Sequence, residues 1–181
     1  MSDKSFQSYF IKTWLKSINE PLVFSVAEAA WGRFKRSYQA KKTDFFIFAT
    51  RDGRTLALNL EYVQLAHVWK ESGKDVSSST DPSCDVVLYF PDRATESFEA
   101  ENPVDLANIF SALKQREEDQ TLTFTATSGK LVLFSTSELM LLEAPTDFVE
   151  DGYRQIYYHE RGTLPPRCSC ISLELGRACL H

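Results

Sequence analysis

The stretch FFIFATRDGRTLALNL, residues 45–60, leaves the chain few ways to fold. Two runs rich in aromatic and aliphatic residues flank Asp52-Gly53, a dipeptide favoured in a two-residue type I′ hairpin turn because both central positions need positive φ. An antiparallel β layer therefore has to start here. With the turn centred on that dipeptide, Phe45 faces Leu60, Ile47 faces Leu58 and Ala49 faces Leu56, all on one side of the ribbon. Phe46, Phe48, Ala57 and Asn59 fall on the other side. The first face is expected to be core and the second partly covered, and a one-residue slip would exchange the two sets.

A second hairpin signal lies further on, where TLTFTAT and KLVLFSTS flank Ser128-Gly129, with Leu122, Phe124 and Ala126 alternating inward. Laying Gly129 on Gly53 brings Phe124 onto Phe48, Lys130 onto Arg54 and Phe134 onto Leu58. This suggests an internal repeat of strand, small-Gly-basic turn and strand, in halves of about 44–115 and 120–160.

Elsewhere, apolar spacing assigns the elements. Phe6, Phe10, Trp14 and Ile18 recur every four residues and predict a helix over 6–18. Ser25 with Glu28 three residues on forms a capping box for a second helix over about 26–39, its stripe Val26, Ala30, Phe34 and Tyr38. The second hairpin strand continues through EYVQLAHVW, bent near Glu61 where the alternation changes phase. Residues 70–85 read as a long polar loop, VVLYF as a buried strand and ATESFEA as an edge strand. Asn102 at the N-cap, Pro103 at the first helical position and Asp105 after it open a central helix with the stripe Leu106, Ile109, Phe110 and Leu113. ELMLLEA reads as another strand, and YRQIYYHE as a last segment of core.

The expected fold is α+β, an antiparallel β-sheet built from hairpins, with two N-terminal helices and one central helix over about 103–115. Residues 1–166 form one domain and residues 167–181 a cysteine-rich tail. No run approaches the ~18 uncharged apolar residues of a membrane span. Lys12 and Lys16 interrupt any secretory apolar region, so a cytoplasmic, reducing setting is the default.

Charge is unevenly placed. Residues 1–54 hold ten basic and five acidic side chains, while the remainder holds ten and twenty. Arg33, Lys35, Arg36, Lys41, Lys42, Arg51 and Arg54 are candidates for an anionic partner such as nucleic acid, with aromatic neighbours able to stack on bases. Against this, the acidic remainder would repel a long polyanion, and the basic surface can equally pair with acidic surface.

The tail, CSCISLELGRACLH, holds three of the four cysteines. Folded back around Glu174-Leu175, it sets Cys168 opposite His181 and Cys170 opposite Cys179 on one face. Such a quartet could hold zinc, but C-x-C spacing and a terminal histidine are a poor fit to the usual C-x2-C pairs. A Cys170–Cys179 disulfide and ordinary thiols are the other readings, and the last is preferred, with no cofactor expected.

No nucleophile elbow, phosphate loop, dinucleotide fingerprint or zinc-protease motif occurs. His67 and His159 stand among large apolar residues, and Cys84 sits between acids that would raise its pKa. The reading that follows is a non-catalytic interaction or regulatory domain that binds a protein partner or self-associates. Trp14, Trp31, Trp69, Tyr157 and Tyr158 are its anchor candidates. Nucleic-acid binding, or an enzyme whose site is assembled from distant positions, are the alternatives.

Overall fold

The structure is a computed structural model that describes residues 7–40, 44–72, 85–115 and 119–162. It is an α+β fold with wholly antiparallel strand pairing. The strands are β1 (Gln7–Leu15), β2 (Leu22–Val26), β3 (Phe45–Ala49), β4 (Arg54–Asn59), β5 (Val63–Ser72), β6 (Asp85–Tyr89), β7 (Glu96–Glu99), β8 (Thr121–Thr125), β9 (Leu131–Ser135) and β10 (Leu141–Pro145). The helices are α1 (Glu28–Gln39), α2 (Pro103–Lys114) and α3 (Thr146–Arg161). None of the described helices is long and apolar enough to cross a membrane.

The element order repeats. Two strands, a helix and three strands (β1, β2, α1, β3, β4, β5) are followed by the same series (β6, β7, α2, β8, β9, β10), and α3 closes the described chain. In each series the first strand pairs with the second and fifth, and the third with the fourth. Details repeat as well. An isolated bridge joins Val26 to Thr50 in the first unit and Ala100 to Ala126 in the second. The Arg51 N–H donates to the Ser25 carbonyl at 2.9 Å, and the Thr127 N–H to the Glu99 carbonyl at 2.8 Å. Phe24 meets Phe48 edge-on at 5.7 Å, and Phe98 meets Phe124 edge-on at 6.0 Å. The repeating units run from β1 to β5 and from β6 to β10, and so are cut at different places from the halves suggested by the hairpins alone.

The hairpins form at both expected glycines, but not with a two-residue turn. Thr50 pairs with Arg54 and Ala126 with Lys130, leaving three residues in each loop, and Gly53 and Gly129 adopt φ of +81° and +75°. A three-residue loop with its last residue left-handed favours glycine there, because L side chains rarely adopt that φ, even though the space around both positions is open. The extra residue shifts the register by one from the expected one: Phe46 faces Leu58, Phe48 faces Leu56, and Phe45 faces Asn59. The slip carries little penalty because both faces of this ribbon are buried, so the apolar pattern did not favour one register.

That double burial follows from the sheet order. The central sheet runs β3-β4-β10-β6-β7, flanked by a three-stranded sheet β2-β1-β5 and a separate ribbon β8-β9. One face of the central sheet presents Phe46, Phe48, Leu56, Leu58 and Leu141 to a core shared with α1 and the inner face of the three-stranded sheet, through Ile11, Leu15, Phe24 and Phe34. The opposite face presents Phe45, Ala57, Leu88, Leu142 and Ala144 to a second core completed by α2, α3 and the β8-β9 ribbon. Asn59 and Thr55, buried between these cores, are satisfied: Asn59 Nδ2 donates to the Leu139 carbonyl at 3.0 Å, and the Thr55 and Thr146 hydroxyls lie 3.0 Å apart.

Three other expectations change. Residues 7–15 form a strand rather than a helix. A spacing of four residues returns to the same face in a strand as well as in a helix, and the Tyr, Phe, Ile, Thr and Trp content of this segment suits a pleated surface. Ser25 does not cap α1. It lies in β2, and α1 starts two residues later than expected, with no side-chain cap. Residues 146–161 form a third helix, ended by Gly162 in the left-handed region at φ +69°. The central helix starts as expected, with the Asn102 side chain accepting from the Val104 N–H at 3.0 Å.

Two substitutions test this packing. The Thr13 hydroxyl is fully buried and finds no partner among the described residues, and the matching position of the second unit is Leu88. Thr13→Val removes an unsatisfied hydroxyl at nearly constant shape and is expected to raise unfolding free energy by about 1 kcal/mol, read from the urea midpoint. At Gly152 an added Cβ would overlap the Pro103 carbonyl and the Ala107 side chain, where α3 crosses α2. Gly152→Ala should therefore destabilise by about 1–3 kcal/mol in the same assay, despite alanine's better helix propensity.

Candidate interaction surface

Alternation along β1, β2 and β5 sends Ile11, Thr13, Leu15, Phe24 and Val26 into the core, so Phe10, Lys12, Trp14, Val23, Leu65, His67 and Trp69 share the outer face. In register, Phe10 lies opposite Trp69, Trp14 opposite Leu65, and Lys12 between Val23 and His67. Side chains opposite one another across antiparallel strands are close enough to pack. Phe10 and Trp69 stack at 5.4 Å with 13° between their planes, and Trp14 meets the His67 ring edge-on at 4.8 Å. Lys12 lays its ammonium 4.9 Å from the centre of the Trp14 ring. The cluster is ordered by its own contacts yet faces water: Val23, Leu65 and Trp69 are 51%, 47% and 40% exposed. Exposed apolar residues are ordinary when scattered, but a contiguous cluster built around two tryptophans is what a docking surface presents.

The other anchor candidates sit elsewhere. Trp31 packs partly buried against the first core, 6.4 Å from Phe34. Tyr157 and Tyr158 lie on α3, beyond the opposite face of the central sheet, with the Arg161 guanidinium 5.0 Å from the Tyr157 ring. The structure does not bring them to Trp69.

Of the basic candidates, five are described and one of these, Arg54, is not on the surface. Arg33 is half-buried with its guanidinium 6.0 Å from the Phe46 ring, Lys35 and Arg36 are exposed on α1, and Arg51 is exposed in the first hairpin turn. Arg54 turns inward, donating to the Asp85 carbonyl at 2.8 Å and lying 3.9 Å from Glu143. Lys41 and Lys42 lie outside the described residues, as do Cys84, Cys168, Cys170, Cys179 and His181. Among the described residues no group of three or more His, Cys, Asp or Glu side chains is placed to hold a metal ion.

Glu143 is the carboxylate of this interior network. Burial pushes its pKa up, against the opposing pull of Arg54 and of the hydrogen bond from Tyr89. The Tyr89 hydroxyl is in turn pushed up to about 12, first by burial and then by Glu143. The group is set into the β4-β10-β6 part of the central sheet, so it reads as an interior polar cluster rather than an exposed site.

Sequence reasoning named Trp69 and Trp14 but missed Phe10, Val23, Leu65 and His67. In VQLAHVW both alternating sets contain apolar residues, so periodicity alone did not say which set faces water. The chain matches no protein-family profile, no curated protein and no solved structure.

A folded acid that keeps its proton to higher pH than the unfolded chain loses stability as pH rises through the interval between the two pKa values. The stability of the native chain relative to its Glu143→Gln variant should therefore fall as pH rises from the ordinary glutamate range, about 4.3, through the raised value, and level off above it. Urea unfolding of both proteins across mildly acidic to neutral pH checks this. A constant difference would show that Glu143 keeps its ordinary pKa in the folded state.

Proposed function

We propose that this chain is an interaction domain that binds a protein partner, or a further copy of itself, through the outer face of the β2-β1-β5 sheet. The observation that carries this reading is the ordered apolar cluster left in water: Phe10 stacked on Trp69, Trp14 packed on His67, with Val23 and Leu65 beside them. Tryptophan supplies large contact area at little entropic cost, and such residues at the centre of a patch carry much of the energy of protein association. Lys12 adds a single cation over the Trp14 ring rather than a field of positive charge, which suits a polypeptide better than a phosphate backbone. The commitment of Arg54 to the interior, which removes one basic candidate from the surface, supports the same preference.

A photo-crosslinking residue placed at Val23 or Trp69 in cells should give discrete adducts with one or a few proteins, this chain included. The same residue at Ser97, on the exposed edge strand β7, should give none. Equal labelling from all three positions, or no adduct from the first two, would overturn the reading.

A further inference from the structure

The repeat leaves one strand pairing unmade. In the first unit the hairpin strand β4 pairs onward with β10, the last strand of the second unit. The positions that correspond in the other direction are β9 and β5, each shifted by 76 residues from its counterpart (Gly53 to Gly129, Leu65 to Leu141). Yet β9 ends the β8-β9 ribbon and β5 ends the β2-β1-β5 sheet, so among the described residues each has an edge with no strand paired to it.

We infer that β5 of one copy of this chain pairs antiparallel with β9 of another, in the register of β4 and β10. That register sets Leu65 against Phe134, Ala66 against Leu133, His67 against Val132, Val68 against Leu131 and Trp69 against Lys130. It joins two sheets across copies into a five-stranded sheet, β8-β9-β5-β1-β2, equivalent to the one the chain already makes within itself.

Exposure supports this occupant. Of the six large hydrophobic side chains that stand exposed among the described residues, four lie on these two strands: Leu65 and Trp69 on β5, Leu131 and Leu133 on β9. Leu131 and Leu133 are 59% and 60% exposed, whereas their counterparts on the paired strand β4, Thr55 and Ala57, are 1% and 0%. Leu65 is likewise open where its counterpart Leu141 is sealed.

The two edges also complement each other. Leu131 and Leu133 would settle beside Val68 and Ala66, which already pack on the first core. Leu65 and Trp69 would settle on the side of Phe134 and Val132, which belong to the second core. Each edge thus supplies the covered side that the other's exposed residues lack. Little protects the paired stretch: LVLFS has no charge, Lys130 stands only at the end of the ladder opposite Trp69, and Lys70 lies past it.

The contact joins two different surfaces, so two copies close it by making it twice, and otherwise it propagates. It deepens the proposed function, resting on it only for the claim that this sheet docks polypeptide.

Sedimentation velocity of the full chain over a micromolar concentration series tests the inference. The expected result is a shift from the mass of one copy to that of two or more. Leu133→Lys and Leu65→Lys, both at exposed positions, should each abolish the shift while leaving the thermal midpoint unchanged, with Leu131→Lys as a second β9 variant. Mixing the Leu133→Lys and Leu65→Lys proteins should restore association, because the mixture contains one intact β5 edge and one intact β9 edge. Ser97→Lys, on β7 and outside the docking face, should leave the shift intact. A single-copy mass at every concentration, or association untouched by all three edge variants, overturns the pairing. Association lost with Val23→Lys but kept in the edge variants overturns it too, while leaving the outer face as the docking surface.

Discussion

The pairing of β4 with β10 holds the two units of this chain together. Among the described residues it is the one ladder that crosses between them, tying the hairpin of the first unit to the sheet of the second. Leu58 faces Leu141 into one core while Ala57 faces Leu142 into the other, and all four are fully buried. Every side chain on this seam therefore has a packing partner above or below. Backbone groups at such depth have no water to fall back on, so the ladder and its side-chain bonds from Asn59 and Thr55 must be complete.

From that seam the rest of the molecule is layered outward. The central sheet is covered on one face by the β2-β1-β5 sheet with α1, and on the other by α2, α3 and the β8-β9 ribbon. Covering layers have an outer side, and this is where the two units differ in consequence. The sheet of the second unit pairs with the first unit's hairpin, whereas among the described residues nothing covers the outer face or the β5 edge of the first unit's sheet. The aromatic cluster of Phe10, Trp14 and Trp69 lies on that face, and β5 is that edge. The proposed interaction surface lies where the pairing potential of a sheet is unused among the described residues, since water is a poor partner for both leucines and an extended strand edge.

Much of this was legible from local pattern. The glycines at 53 and 129 marked both hairpins, and Asn102-Pro103 marked the start of α2. The change of phase near Glu61 marked the bend, where a single 3-10 turn over Leu60–Tyr62 separates β4 from β5. Trp69 was singled out on residue type, while its exposure on β5 is decided by the sheet. What failed was whatever needed a partner. The spacing of Phe10 and Trp14 suits a helix and a strand alike, and only hydrogen bonds to β2 and β5 decide between them. The signal for α3, with Phe148, Val149, Gly152, Tyr153 and Ile156 at helical spacing before Gly162, was present but was hidden by the aromatic run that follows. Along LVLFS both alternating sets are apolar, and only the packing shows that Leu131 and Leu133 are the set left open.

The sequence by itself determined where the chain reverses, where α2 begins, and that an antiparallel α+β fold results. Those outcomes depend on backbone dihedral preference, caps and alternation, which act within a few residues. Tertiary structure alone decided the register of the first hairpin, the strand identity of residues 7–15, the inward turn of Arg54 and which apolar faces meet water. Each of those depends on what lies across a ladder or a core, at a distance along the chain that no local pattern encodes, and burial energy is assigned only once the layers are stacked.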